Sequence, residues 1–119
     1  MPIFHVETSL RAPQGAARQL ADTLGTLTQS APGHVWVRIV PCDPSLYAEN
    51  ETDAPPENVW VRVILRALPA ESALAALARA SSELFARTFG CSIDDVHVYF
   101  DPPAAGRIAF GGELVPGRS

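Results

Sequence analysis

The sequence contains no lysine: its nine basic residues are all arginine, set against thirteen acidic residues. The formal net charge of −4, with no basic cluster, argues against a nucleic-acid partner. The arginine-only composition has two interpretations. Either it reflects the composition of the genome, or it favours carboxylate ligands, because the planar guanidinium group matches a carboxylate in a forked geometry. Only the placement of individual arginines can separate the two.

Cysteine is scarce, and long apolar runs are absent. Cys42 and Cys91 are too few and too far apart for a zinc cluster or a disulfide framework, so two free thiols are expected. No apolar run approaches the about 18 residues of a membrane span, and no signal-peptide pattern is present. We therefore expect a cytoplasmic protein with no membrane partner. His5, His34 and His97 show no metal-ligand spacing, so neither a metal nor a cofactor is expected.

The length of 119 residues fits one domain that buries roughly two-thirds of its unfolded surface. We predict a single domain over residues 1–119. Proline, glycine and acidic residues divide it into two β-α-β units at about 2–41 and 59–101, an acidic loop at 42–58 and a hairpin at 104–115.

Each unit has the same plan. In the first, strands are predicted at 2–8 and 34–40, and Pro13 and Pro32-Gly33 bound the intervening helix. In the second, strands are predicted at 59–66 and 96–100, with a helix between Pro69 and Gly90. The predicted fold is α+β: duplicated units forming a four-stranded sheet with two helices on one face, plus the hairpin. The same order also fits the ferredoxin-like plan.

Strand alternation predicts an open sheet face rich in arginine and aromatic side chains. In VWVRVILR the valines belong under the helices, which leaves Arg62 and Arg66 on the other face, roughly 13 Å apart. The same alternation adds Trp36, Arg38, Trp60, His97 and Tyr99 to that face. Either this face is partly solvated, with arginine stems covering the tryptophans, or it forms a subunit interface.

Three features carry a resemblance to the tautomerase superfamily, whose β-α-β unit begins with a catalytic amino-terminal proline. They are Met1-Pro2-Ile3, the duplicated plan and the tail GRIAFGGEL at 106–114. The tail is similar to the hairpin that closes 4-oxalocrotonate tautomerase. The overall length and the stretch VHVYFDPP look more like the cis-3-chloroacrylic acid dehalogenase branch, in which both units lie in one chain.

The resemblance implies roles for individual residues. Pro2 matches the proline that acts as the base, or as the acid in hydrating enzymes. Arg66 and Tyr99 match a carboxylate-binding arginine and an active-site tyrosine of the dehalogenase branch, and Arg11 lies within about a residue of an arginine used by both groups. Two arginines of the open face, Arg62 and Arg38, are further candidate carboxylate ligands. The candidate pocket walls are Phe4, Trp36, Ile108 and Phe110.

The catalytic interpretation of Pro2 requires that Met1 be removed, because only then is the proline nitrogen a free amine. Apolar walls and nearby guanidinium groups lower the pKa of such an amine towards neutrality, which suits proton transfer at a carbon next to a carbonyl. The predicted activity is therefore keto–enol tautomerisation of small 2-oxo or 2-hydroxyalkenoic acids. Otherwise Pro2 occupies the first position of a strand, where proline is harmless.

Several departures from the family pattern leave alternatives open. Ala109 aligns with the carboxylate by which the dehalogenase activates water, residues 17–29 contain no histidine, and Trp36 and His97 align with the second-strand arginine of 4-oxalocrotonate tautomerase. A dehalogenase is therefore disfavoured. A decarboxylase or hydratase and a non-catalytic ligand-binding module remain as alternatives. Because family members assemble as trimers, a homotrimer is expected.

Overall fold

The computed structural model describes residues 2–53 and 57–117. Met1 and residues 54–56 of the predicted acidic loop lie outside this description. The predicted α+β fold is confirmed: the elements are β1 (Ile3–Thr8), α1 (Ala16–Leu27), β2 (Trp36–Pro41), β3 (Val59–Ile64), α2 (Glu71–Phe89), β4 (Val96–Phe100), β5 (Ala109–Phe110) and β6 (Glu113–Leu114). Single 3₁₀ turns at Pro44–Leu46 and Ile93–Asp95 precede β3 and β4.

Four strands form one mixed sheet in the order β2-β1-β3-β4. The pairs β1–β2 and β3–β4 are parallel, and β1 meets β3 antiparallel at the centre of the sheet. Each helix therefore connects two strands that are direct neighbours. This is the duplicated plan and not the ferredoxin-like one, in which a further strand separates the two strands of each β-α-β unit.

The core lies between the sheet and the two helices. Alternate residues of β1 and β3 meet α1 and α2, and the fully buried set is Phe4, Val6, Leu20, Leu24, Val59, Val61, Val63 and Phe85. The rings of Phe4 and Phe85 lie 6.3 Å apart. Phe4 is therefore a core residue, and the expectation that it forms a pocket wall is wrong. Its position follows from alternation, since Phe4 shares a strand face with Val6.

The helix ends differ slightly from the predicted ones. Helix α1 begins three residues after Pro13, behind Gly15, and ends at Leu27, well before Pro32-Gly33. Helix α2 ends as predicted, because Gly90 adopts the left-handed conformation (φ 68°) and its N–H bonds the carbonyl of Ala86. Within residues 2–53 and 57–117, no helix is both long enough and apolar enough to cross a bilayer.

The C-terminal hairpin is confirmed as β5 and β6. Gly111 and Gly112 form its turn, both with positive φ (58° and 87°), which is the conformation that a two-residue hairpin turn requires. Backbone bonds from Ala104 N–H to Leu65 O (2.9 Å) and from Ala105 N–H to Arg66 O (3.1 Å) fix the preceding segment against the end of β3. The hairpin is thus held near the edge of the sheet where β1 and β2 begin.

Candidate active site

The topology brings three chain segments to one edge of the sheet. Pro2 directly precedes β1, and its carbonyl accepts a bond from Trp36 N–H (3.0 Å) at the start of the parallel strand β2. Since β3 runs antiparallel to β1 and Ile3 lies opposite Ile64, the residues that follow β3 arrive at the same edge. The beginnings of β1 and β2 therefore meet the end of β3.

A cavity of about 600 Å³ opens at this edge. Its lining includes Pro2, His34, Trp36, Leu65, Arg66 and Phe110. Four of these were predicted as site residues from the sequence, namely Pro2, Arg66, Trp36 and Phe110. The cavity thus combines an amino-terminal proline, one guanidinium group and two aromatic rings.

Trp36 and Phe110 form the aromatic wall of the cavity. Their rings meet edge to face, with centroids 4.7 Å apart and planes at 84°. The indole Nε1–H also donates to the carbonyl of Gly33 at 2.9 Å. The indole is therefore fixed by a hydrogen bond on one side and by the hairpin on the other, although 48% of Trp36 remains exposed.

Arg66 provides the positive charge of the cavity. Its backbone is fixed by the bond from Ala105 N–H, while its side chain is exposed and takes part in none of the ion pairs in the described part of the chain. An unpaired guanidinium group beside a half-buried proline can bind a carboxylate through forked hydrogen bonds.

Three other predicted ligands lie elsewhere, on the face of the sheet away from the helices. Arg38, His5, Arg62 and Tyr99 occupy directly paired positions on β2, β1, β3 and β4, and we call them the transverse row. Arg62 is bound to Asp101, with Nη2–Oδ2 at 2.6 Å and Nε–Oδ2 at 2.9 Å. Within one chain, Arg38, Arg62 and Tyr99 do not line the proline cavity.

The charges of the transverse row perturb one another. Burial lowers the pKa of His5, the positive charges of Arg62 and Arg38 lower it further, and Asp101 acts in the opposite direction. The hydrogen bond from Arg62 lowers the pKa of Asp101, and Asp101 in turn raises that of Arg62. In this setting His5 favours its neutral form and Asp101 favours its charged form.

The remaining predicted residues also lie outside the cavity. Arg11 follows the carboxyl end of β1, so a six-residue strand separates it from Pro2, a length of about 20 Å. Ile108 is half-buried in the tail, where its carbonyl accepts a bond from Val115 N–H at 2.8 Å. One chain therefore brings together Pro2, Arg66, Trp36 and Phe110, but not Arg11, Ile108 or the transverse row.

Sequence reasoning missed three polar residues near these sites. His34 lines the proline cavity because it lies just before β2, and the parallel pairing of β1 with β2 would have indicated this. His5 shares the face of Arg38 and Arg62, which alternation along β1 would have shown. Asp101 follows β4, and its backbone N–H bonds Val63 O at 2.9 Å, which places its carboxylate beside Arg62.

Comparison with known proteins gave matches among solved structures alone. No protein-family model matches the chain. No curated protein sequence matches it either. Three of the structural matches are a macrophage migration inhibitory factor from Oncomelania hupensis, a fused wild-type 4-OT symmetric trimer, and N1, a member of the cis-3-chloroacrylic acid dehalogenase family.

These matches cover nearly the whole chain. The Oncomelania structure has a TM-score of 0.80 at 17% identity, covering 97% of this chain and 83% of its own. The fused 4-OT has a TM-score of 0.80 at 14% identity, covering 95% and 94%. N1 has a TM-score of 0.73 at 20% identity, covering 97% and 84%. The chain therefore has the fold of the tautomerase superfamily, as its sequence predicted.

Proposed function

We propose that this protein is a cofactor-independent keto–enol tautomerase of small 2-oxo or 2-hydroxyalkenoic acids. The observation that carries the proposal is the cavity shared by Pro2 and Arg66. Pro2, once Met1 is removed, is the general base, and Arg66 binds the substrate carboxylate. The fold adds support, since a structure from the cis-3-chloroacrylic acid dehalogenase family and a fused 4-OT share it.

The proposed mechanism needs one proton acceptor and one anchor. Arg66 holds the carboxylate so that the carbon next to the carbonyl faces the Pro2 nitrogen. The C–H bond breaks and its proton moves to the Pro2 nitrogen. The protonated amine then returns a proton, through a water molecule, to the enolate oxygen, which leaves Pro2 neutral again; ketonisation runs the same steps in reverse. Trp36, Leu65 and Phe110 give the amine an apolar surrounding, which favours its neutral, basic form.

The ketonisation of phenylenolpyruvate, followed by its ultraviolet absorbance, tests this proposal. Replacing Pro2 with alanine is expected to lower kcat by about 10²-fold or more, the usual contribution of a positioned base. Pro13→Ala is the matched control, because Pro13 precedes a helix away from the cavity and is expected to leave kcat unchanged. Equal rates for Pro2→Ala and the parent protein would refute the assigned role.

The state of the amino terminus is tested separately by intact mass. A mature chain that begins at Pro2 has the free secondary amine that the mechanism needs. A chain that retains Met1 after expression in its native host would have an amide at that position, which is not a base. That result would favour the alternative of a non-catalytic, trimeric ligand-binding protein. Ligand affinity would then be unchanged when the amino terminus is acylated.

A second candidate keeps Pro2 and changes the reaction to decarboxylation or hydration of a three-carbon acid. The likeness to N1, a member of a dehalogenase family, favours it. Ala109, in β5, does not supply the carboxylate that water activation needs, which makes this the weaker candidate. Product analysis with malonate semialdehyde tests for decarboxylation, since only a decarboxylase releases carbon dioxide from this compound.

We also propose a homotrimer acting in the cytoplasm. The exposed Trp36, Trp60 and Tyr99 on the open sheet face support assembly. Sedimentation velocity is expected to give three times the monomer mass of 12.7 kDa, and a stable monomer would contradict it. The free cysteines Cys42 and Cys91 agree with a reducing compartment.

A further inference from the structure

Three groups that can carry positive charge lie side by side on the open sheet face. Arg38 on β2 and Arg62 on β3 are each directly paired with His5 on the central strand β1. Neighbouring strands are about 4.8 Å apart, so the three side chains leave the sheet from adjacent points. Like charges directly opposite one another are unfavourable unless something neutralises them.

Among residues 2–53 and 57–117, the positive charge of this row is only partly neutralised. Asp101 pairs with Arg62, at 2.6 Å from its Nη2 atom. Arg38 takes part in no ion pair within residues 2–53 and 57–117, although its side chain is exposed. Glu7, two residues along β1 on the same face, is exposed and is likewise absent from those pairs. Arg38 therefore carries a positive charge that no ion pair among the described residues neutralises.

The pKa of His5 depends on the positive charges of this row. Arg62 and Arg38 both lower the pKa of His5, in addition to burial, and Asp101 compensates only in part. The phenol of Tyr99, the carboxylate of Glu7 and, on β4, the imidazole of His97 are further titratable groups of this face. An anion placed between Arg38 and His5 would offset the guanidinium charges that, after burial, lower the pKa of His5.

We propose that the Arg38 end of the transverse row binds a small oxyanion of charge −2, such as an inorganic sulfate or phosphate or a short dicarboxylate. Arg38 donates through its guanidinium fork and His5 through a ring N–H, while Asp101 holds Arg62 in place as a third donor. This site goes beyond the proposed function. It lies about 10 Å along β1 from Pro2, and Arg66 takes no part in it.

Binding at this site is linked to a proton. Because the bound anion stabilises protonated His5, affinity rises as the pH falls and His5 takes up its proton. Sulfate is the probe for this linkage, since it stays a dianion throughout the range in which histidine titrates. Any pH dependence of its affinity therefore reports on the protein.

Histidine NMR titration, with and without sulfate at constant ionic strength, tests the proposal. The expected result is that sulfate raises the pKa of His5 and leaves the titration curves of His34 and His97 in place. A shift of His34 instead would put the anion in the proline cavity, and no shift of any histidine would show that the row binds no anion. Either result would overturn the proposal, and neither would decide whether Pro2 is a base.

Charge-matched variants give the second measurement. Arg38→Gln and His5→Gln are each expected to weaken sulfate affinity about tenfold, the loss of one charge-assisted hydrogen bond. The control, Arg79→Gln, removes the same charge from an exposed ion pair on α2 and is expected to retain affinity. An equal loss of affinity in all three variants would indicate non-specific attraction and refute the site. A parent protein that does not bind sulfate would also refute it, because the row would then already be filled, for example by a partner subunit's carboxylate.

A malonate titration at constant ionic strength separates the two sources of the ligand. Tighter binding of malonate than of sulfate would assign the site to an organic dicarboxylate. The opposite order would assign it to an inorganic oxyanion. Either order supports the site only if Arg38→Gln weakens the binding of the tighter ligand. An Arg38→Gln protein that binds this ligand as tightly as the parent protein does would refute the proposal.

Discussion

The guanidinium group of Arg62 binds a single oxygen of Asp101 through two nitrogens, with Nη2–Oδ2 at 2.6 Å and Nε–Oδ2 at 2.9 Å. Asp101 follows the edge strand β4, and its own N–H is bonded to Val63 O on β3. The pair therefore continues the junction of β3 and β4 beyond the last paired residue. Its carboxylate side chain is 18% exposed, while that of Arg62 is 47% exposed.

Asp101→Asn is expected to reduce the free energy of unfolding by about 1 kcal/mol or less at neutral pH, since partly exposed ion pairs contribute little. The pKa of Asp101 is lowered in the folded protein, so its contribution is present above the ordinary carboxyl value and is lost as the pH falls through the folded pKa. Urea denaturation should therefore show the difference at pH 7 and none in strong acid. The control Asp22→Asn, in an exposed helical ion pair, should leave the free energy of unfolding unchanged both at pH 7 and in strong acid.

His5 gives the protein a second pH dependence of stability. Here the folded state disfavours a protonated, positively charged group, whereas at Asp101 it favours a deprotonated, negatively charged one. Its folded pKa lies below the ordinary value of 6.5, so between these two pH values the unfolded chain binds a proton that the native protein does not. Stability is expected to fall as the pH drops through about 6.5, and to level off once native His5 is protonated.

Urea denaturation at several pH values between about 5 and 8 measures this effect. Arg38→Gln removes one of the charges that lower the pKa of His5, so the stability loss between pH 7 and 5.5 should shrink. Arg79→Gln removes the same charge from α2 and should retain the full loss. Identical pH profiles for the two variants would contradict the role given to Arg38.

Strand alternation was the most informative signal in the sequence. It separated Val59, Val61 and Val63, which are fully buried, from Arg62 and Trp60, which lie on the open face. The same rule, applied to β1, would have assigned Phe4 to the core and His5 to the open face. Phe4 does not form a pocket wall, because strand periodicity places its side chain in the core beside Val6.

The candidate site was harder to predict because it depends on strand order. Pro2, Trp36 and Arg66 converge only when β1 lies between a parallel β2 and an antiparallel β3, and no local pattern specifies that arrangement. The place of Phe110 depends on the docking of the hairpin through the bonds of Ala104 and Ala105, which involve backbone atoms alone. Sequence patterns carry little information about such contacts.

Phe4→Ala is expected to cost about 3–5 kcal/mol of unfolding free energy, the usual cost of removing a buried phenylalanine. Phe4 has no exposed surface and lies against Phe85, so truncation leaves a cavity that the sheet cannot fill. Chemical denaturation measures this loss. A cost below about 2 kcal/mol, within the range of large-to-small changes at sites that collapse readily, would contradict the placement of Phe4 in a rigid core.

Phe110→Ala tests the aromatic wall of the proline cavity. Because the ring packs edge-on against Trp36, its loss should raise the KM for phenylenolpyruvate about tenfold, equivalent to about 1.4 kcal/mol of apolar contact. Stability should change little, since Phe110 is half-buried on a short hairpin. Leu114→Ala, on the paired strand and 60% exposed, is the control and should leave KM unchanged. A KM of Phe110→Ala equal to that of the parent protein would show that the hairpin does not contribute to substrate binding.

Two glycines are expected to respond to alanine in opposite directions. Gly90 ends α2 with φ 68°, and an added Cβ would meet no atom within 4 Å, so the cost of Gly90→Ala is purely conformational, about 1 kcal/mol.

Gly25 has ordinary helical backbone within α1, and its added Cβ would lie 3.9 Å from Val35 Cγ2, a normal contact. Gly25→Ala should therefore stabilise the protein by about 0.5–1 kcal/mol, because alanine restricts the unfolded chain without strain in the folded one. Urea midpoints of the two variants, measured side by side, check both signs. Destabilisation by Gly25→Ala would mean that α1 packs more tightly against Val35, just before β2, than the 3.9 Å contact indicates.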